Sequence, residues 1–364
     1  MGNITPRFLY DNYITSETMM TVSSLKDGLV TSALKNGTGS AVIVIQGNFT
    51  GQTDLEFVVE IDTLGTGEVG SSTYKWTNGS GGWNASGVVT SASPTTLSDG
   101  VKISFISGSG ADFVLGDKWY FKGINLYNAG KMIDLNRDSR YRSAGLGSPN
   151  RITIDLNSAM EVSTVIIHDH NFSPTVTITI EGDSANTFDS GVGGAAEISE
   201  TITRSSIKIV HYMATLLAFR YWRIKVTDAS NPDGYIEISE LFVGRYMQLS
   251  KSYNIGPSSA REFLYTVQEN VSGVRRYRYH NVRYSFSYEF AYMLRADLDK
   301  LLSMFESLNS KEYGTMKPFW FNEDYAYPGD TWLVNAYNLD TEREDCVQER
   351  YNHRMDLEEV ITSI

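Results

Sequence analysis

Cysteine is nearly absent from this 364-residue chain: Cys346 is the only one. No intrachain disulfide can form, and zinc sites built on four cysteines or on two cysteines and two histidines are excluded. Folding in a reducing cytoplasm fits that usage. Proline is scarce, at 8 residues. Long hydrophobic runs are missing too. AVIVI (41–45) and VIIH (165–168) are strand-sized, far from the roughly 20 apolar residues that span a bilayer. The start, MGNITPRFLYDNY, has no apolar core after a basic patch, so no secretory leader is expected. Thr5 falls one place short of the myristoylation pattern behind Gly2, and lipidation is not expected either. Positive charge is in deficit: 31 Lys and Arg face 43 Asp and Glu, a formal net charge of −12. Such a chain is a poor non-specific binder of nucleic-acid phosphate.

What is abundant is Tyr (22), Phe (16) and Gly (31), a composition for strands and tight turns. At this length two or three domains are expected. In residues 41–126, Phe57, Val59 and Ile61 alternate with Val58, Glu60 and Asp62, and Val101, Ile103 and Phe105 with Lys102, Ser104 and Ile106. Period two with Gly/Asn/Ser breaks indicates short antiparallel strands in a sandwich or barrel. Residues 127–246 repeat the pattern: Ile152, Ile154 and Leu156 face one way, Thr153, Asp155 and Asn157 the other. Within this block, FRYWRIKV and YIEISELFVG flank a polar turn and read as a hairpin. GDSANTFDSGVGGAA (182–196) reads as a surface loop.

Residues 247–364 differ. Val282, Tyr284, Phe286, Tyr288 and Phe290 share one face of a strand. After them Leu294, Leu298, Leu301, Leu302, Phe305 and Leu308 recur at helical spacing. This third is expected to be α+β, a sheet with one helix laid on it.

Candidate chemistry is thin. His168 and His170 in HDHN sit at i and i+2 and would share a side of a strand, but the sequence supplies no third ligand at a telling distance. Asp134, Asn136 and Asp138 begin like a calcium loop, but Ser139 stands where the loop needs Gly; an Asp-rich turn is the simpler expectation. Arg275, Arg276, Arg278 and Arg283 are interleaved with tyrosines, as in single-strand nucleic-acid grips. Acidic partners are at hand in Glu342, Glu344, Asp345, Glu349, Glu358 and Glu359, so ion pairing comes first, a subunit contact second, nucleic acid last. GVGG (191–194) lacks the Lys-Ser/Thr of a phosphate loop, no G-x-S-x-G occurs, and no carboxylate pair stands out. NGT, NFT, NGS and NAS match the glycosylation tripeptide but arise from turn composition. No catalytic residue is assigned, and a non-enzymatic protein is expected.

YDNYIT, MIDLNRDSRYRS, RITIDLNSAMEVSTVIIHDHNF and FRYWRIKV…GYIEISELFVG together resemble the discoidin-like, galactose-binding-like jelly roll. YKWTNGSGGWNASGVVTS, LSDGVKISF and FVLGDKWYF are similar to small sandwich modules of phage tail and fibre proteins. VRYSFSYEF, the helix 294–308, KPFWF and RYNHRMDLEEV resemble the C-terminal assembly part of bacteriophage minor tail or tail-tip proteins. The resemblance implies a mainly β, multidomain chain. Residues 1–40 and 127–246 would form a galactose-binding-like jelly-roll β-sandwich, and 41–126 an inserted small β-sandwich. Residues 247–364 would form a barrel-like α+β assembly domain with one helix. It implies a structural virion protein of the phage tail, a distal tail, tail-tip or baseplate component made in the host cytoplasm. Such a protein would form a homo-oligomeric ring through its C-terminal region, whose assembly helix would anchor on the 282–290 strand by Leu294, Leu298, Leu301 and Phe305, and would contact other tail proteins. No nucleic acid and no membrane insertion are implied. The alternative is a carbohydrate-binding module or adhesin that recognises a host surface glycan through the jelly-roll loops. Of cofactors it implies calcium alone, at Asp134, Asp138 and Glu240, which fall where discoidin-like lectins hold the ion.

Overall fold

The computed structural model describes residues 6–79, 81–147, 149–188, 196–250, 258–269, 275–310, 315–345 and 350–361. The protein is mostly β, built from several antiparallel sheets and a single C-terminal helix among the described residues. GVGG (191–194) and Cys346 lie outside them.

The first unit is a sandwich. One sheet holds, in order, Ile198–Ile202, Thr177–Asp183, Ala218–Thr227, Asn150–Glu161 and Met20–Val22. The facing layer holds Lys208–Tyr212, Thr164–His170, Glu237–Gln248 and Arg7–Asn12. Alternation sends one side of each strand inward. Ile152, Ile154, Ile178, Ile180, Trp222 and Ile224 meet Val165, Ile167, Leu241 and Val243 in one core, as strand periodicity requires. FRYWRIKV and YIEISELFVG are not a hairpin. Ala218–Thr227 pairs with Asn150–Glu161 and Thr177–Asp183, whereas Glu237–Gln248 pairs in the opposite layer. The polar stretch between them crosses the sandwich edge. Turn chemistry marks where a strand ends, not which sheet the next one joins.

The second unit is the inserted sandwich. Val42–Gln46, Lys102–Ile106 and Thr95–Thr96 form one sheet, and Lys118–Ile124, Leu55–Thr63, Thr73–Thr77 and Ala85–Val89 run in the other. Its core is aromatic: Phe57 and Phe121 stack at 5.2 Å, and Phe105, Phe113 and Trp119 meet edge to face. Leu29–Val30 and Leu34–Asn36 also pair with Lys118–Ile124. The insert therefore begins before residue 41. Leu29 and Leu34 are exposed, so no apolar alternation announces those strands.

The C-terminal region is not a separate barrel. Arg7–Asn12 pairs with Glu237–Gln248 on one side and Phe319–Asn322 on the other. The sheet continues through Thr331–Asp345, Arg350–Glu359 and Arg275–Leu294 to Ser258–Glu269. Among the described residues it is open, ending on Lys208–Tyr212 and Ser258–Glu269. The helix, Arg295–Leu308, lies on its C-terminal half. Leu298, Leu301, Met304, Phe305 and Leu308 pack with Phe286, Tyr288, Phe290, Met355 and Leu357. Leu294 is not part of the helix; it is the extended N-cap residue closing the preceding strand. Leu302 is exposed and Met304 takes its place inside. Asp297, also buried, accepts from the Ser250 backbone N–H at 3.2 and 3.1 Å and pairs with Lys300 at 3.1 Å. Those bonds outweigh its burial and hold its pKa below the usual value.

Leu298, Leu301 and Phe305 are thus interior to one chain, packed on the strand that carries Phe286, Tyr288 and Phe290. Leu301→Ala should destabilise the fold by about 2–5 kcal/mol, the cost of a core cavity. Chemical denaturation of the C-terminal region measures it.

Candidate functional site

Loops gather where the insert leaves the first sandwich. Tyr127 lies just after the insert's last strand, and Arg142 is in the two-residue strand Tyr141–Arg142, paired with Ile238 and Glu237. The Arg142 amide donates to the Tyr127 carbonyl at 3.3 Å, and the Lys26 amide donates to the Arg142 carbonyl at 2.9 Å. The Tyr141 hydroxyl donates to the Ser24 carbonyl at 2.5 Å. Both roots of the insert are thereby tied to this corner.

Those ties set a platform. The Arg142 guanidinium sits 4.5 Å from the Tyr127 ring centre and 4.3 Å from that of Tyr235, both cation–π distances. Its Nε donates to Glu237 Oε1 at 2.7 Å. Burial opposes the Arg142 charge, but Glu237 outweighs it and raises the pKa further. Arg140 lies 4.0 Å from the other Glu237 oxygen. Beside them Asn171 Nδ2 donates to Asp233 Oδ2 at 3.0 Å and to the Tyr235 carbonyl at 2.9 Å, while its Oδ1 accepts from the Glu237 amide at 2.8 Å. Two half-buried phenol rings, a paired cation and carboxylate, and the exposed Asp233 share one rim. Such a surface offers apolar faces and fixed hydrogen-bonding groups together. Sequence reading missed it because Tyr127, Arg142 and Tyr235 come from three separate segments, two loops and a two-residue strand.

A second cluster lies where the sandwich meets the C-terminal strands. Glu240 is 2% exposed and one of its oxygens has no hydrogen-bond partner. It borders a cleft of about 470 Å³ lined also by Asp11, Asn12, Lys317, Phe319 and Trp320. Burial, reinforced by the Asp134 charge, pushes its pKa up to about 9. Across the strands it stands level with His168, and His168 with Lys208. Burial lowers Lys208 to about 8; its ammonium donates to the Thr331 carbonyl. Arg137 answers with a donation to Asp169 at 3.3 Å and to the Val360 carbonyl at 2.9 Å.

The two histidines do not share a site. Asp169 between them takes a left-handed φ of 48°, which breaks strand alternation. His168 lies against Trp320 at 5.2 Å, and His170 stacks on Phe172 at 4.3 Å. Burial holds His170 neutral, with its pKa lowered to about 4. Asp134 and Asn136 are occupied by turn bonds: Asp134 accepts from the Asn136 amide at 3.0 Å and from the Ser139 hydroxyl, and Asn136 from the Asp138 amide at 3.1 Å. Among the described residues no three His, Cys, Asp or Glu side chains are grouped to hold a metal. Asp134, Asp138 and Glu240 do not fit the calcium site that the resemblance implies. In the arginine-rich strand, Arg275 pairs with Glu269 at 2.8 Å, and Arg283 with Glu262 and Glu358. The Arg276, Glu342, Glu344 and Asp345 side chains and Glu349 are outside the described set.

No protein-family model matches the chain, and no curated protein does. Among solved structures, the chitosan-binding module 1 of a chitosanase/glucanase from Paenibacillus sp. IK-5 is 19% identical. It aligns over 33% of this chain and 86% of the module at a TM-score of 0.26. A Streptococcus pneumoniae fucose-binding module is 16% identical over 33% of this chain and 83% of its own, also at 0.26. The lectin domain of lectinolysin, complexed with Lewis B antigen, is 12% identical over 32% and 82%, at 0.25. These neighbours are sugar-binding modules and a lectin domain, not phage tail or baseplate proteins. The expectation of a virion, tail-tip, baseplate or distal tail protein finds no counterpart among them.

Glu240 makes stability pH-dependent. Its folded pKa lies above the ordinary 4.5, so its contribution is full below about pH 4.5. It falls by about 1.4 kcal/mol per pH unit until the folded pKa is passed. Glu240→Gln keeps the neutral form. Its melting temperature should match the parent's at pH 4 and exceed it increasingly towards pH 9. A constant difference across that range would refute the assignment.

Proposed function

We propose that the protein is a non-catalytic carbohydrate-binding protein that holds its glycan on the Tyr127–Arg142–Tyr235 platform. The observation that carries this reading is the guanidinium fixed between two tyrosine rings and bonded to Glu237. A pyranose has an apolar C–H face and a rim of hydroxyls. The face suits an amphipathic tyrosine ring. Vicinal hydroxyls suit the paired donors of Arg142 and the acceptors of Glu237 and Asp233. Little ordering is needed on binding, since strand pairing and Asn171 already hold Arg142 and Glu237 in place.

A glycan array with the whole chain supplies the ligand, and calorimetry gives the affinity. Arg142→Ala should weaken binding by about tenfold or more, the worth of a hydrogen bond to a charged group. Tyr127→Ala should weaken it without touching Glu237. A chain that binds no glycan overturns the function. Binding indifferent to both substitutions overturns the site.

A further inference from the structure

Among the described residues the last strand of the long sheet, Ser258–Glu269, is an edge with an unusual exposure. From Ser259 to Glu269 every residue is exposed except Leu264, which is half-buried. Phe263, Tyr265 and Val267 are 56, 54 and 45% exposed. As alternate residues they form one apolar stripe. The strand's neighbour, Arg275–Leu294, gains its second partner, Arg350–Glu359, only from Ser285 onward. From Arg275 to Tyr284 the pair is therefore a two-stranded ribbon among the described residues. Ribbons of two strands are marginal in water, and a long apolar edge invites a further strand.

We propose that this edge is a homodimer interface, in which Ser258–Glu269 pairs antiparallel with the same strand of a second copy about a two-fold axis at Tyr265. A two-fold contact must be self-complementary, and the strand's sequence is so in one register. Centred on Tyr265, Phe263 faces Val267 of the partner subunit, and Arg261 faces Glu269 of the partner subunit. Leu264 faces Thr266 of the partner subunit. Arg261 and Glu269, the charges that the edge strand itself carries on the stripe's face, then each meet an opposite sign. Centring on Leu264 puts Arg261 opposite Val267 of the partner subunit, and centring on Thr266 puts Glu269 opposite Phe263 of the partner subunit. Either shift leaves a charge against an apolar side chain, which sets the register as cross-strand pairing energies do. The ribbon is already braced for this. Arg261 donates to the Tyr284 hydroxyl at 3.0 Å, and Glu269 pairs with Arg275 at 2.8 Å, so both charged ends are held on the stripe's face. Opposite charges on the next face are spent internally, Arg283 on Glu262.

Sedimentation velocity over a concentration series, with glycan absent, tests the contact independently of the sugar site. The parent chain should reach a dimer, and Val267→Lys should shift the equilibrium towards monomer by about tenfold or more. The register is tested with Cys346→Ser, Tyr265→Cys. Directly opposed antiparallel residues have Cα atoms about 4.5–5.5 Å apart, within disulfide reach, so mild oxidation should cross-link most of the chain. Cys346→Ser, Thr266→Cys, opposite Leu264 of the partner subunit, should cross-link far more slowly. Circular dichroism confirms that each variant is folded; all three positions are exposed edge residues. A parent that stays monomeric at every concentration overturns the proposal. So does an oligomer that survives Val267→Lys, or one in which the cysteine at 265 stays reduced.

Discussion

The strand Arg7–Asn12 is hydrogen-bonded along both edges, to Glu237–Gln248 and to Phe319–Asn322, and the two halves of the protein meet through it. Its successive side chains serve different cores. Phe8 points into the C-terminal layer with Phe319 and Phe321, while Leu9 joins Ile166, Phe242, Trp320 and Leu333. Arg7 lies within 4.6 Å of the ring centres of Tyr212, Tyr246 and Tyr325. Gly244 makes the seam possible on the sandwich side, because a Cβ there would sit 2.2 Å from the Asp11 carbonyl oxygen. A residue near the chain start thus closes a contact with residues more than 230 positions away, at a loop-closure cost that grows only slowly with length.

That seam decides which charges water can reach. Tyr127, Arg142 and Glu237 stand at the sandwich corner, where the guanidinium keeps both a carboxylate and solvent. Glu240, three residues further along the same strand, is buried and borders the cleft together with Trp320. Arg142 and Glu237 satisfy each other, so the first surface can spend its remaining donors and acceptors on a ligand. Glu240 has no such partner and is kept neutral by burial. Burial that outweighs the nearby Arg137 charge is what separates them.

Periodicity told most where a strand buries one face. Phe57, Val59 and Ile61, or Ile152, Ile154 and Leu156, are interior as their alternation required. The helix was legible because leucines recur at its turns, though Leu302 and Met304 exchanged roles, a distinction that depends on the sheet beneath. Leu29–Val30 and Leu34–Asn36 carried no signal, because their side chains stay in water and only their backbones pair. The candidate platform was not legible at all. Its rings lie on loops and the Arg142 and Glu237 charges at strand ends, in segments whose spacing follows no period.

Composition and alternation by themselves determined the class of the protein: antiparallel, aromatic-cored, without disulfides and with one amphipathic helix. Those properties follow from each residue's preference for water or for a pleated surface, and such preferences are local. Which sheet a strand joins is not local. Ala218–Thr227 and Glu237–Gln248 look like a hairpin and lie in opposite layers; His168 and His170 look like neighbours and touch different rings. Only the tertiary structure decided these, since backbone pairing and burial are set by partners far along the chain.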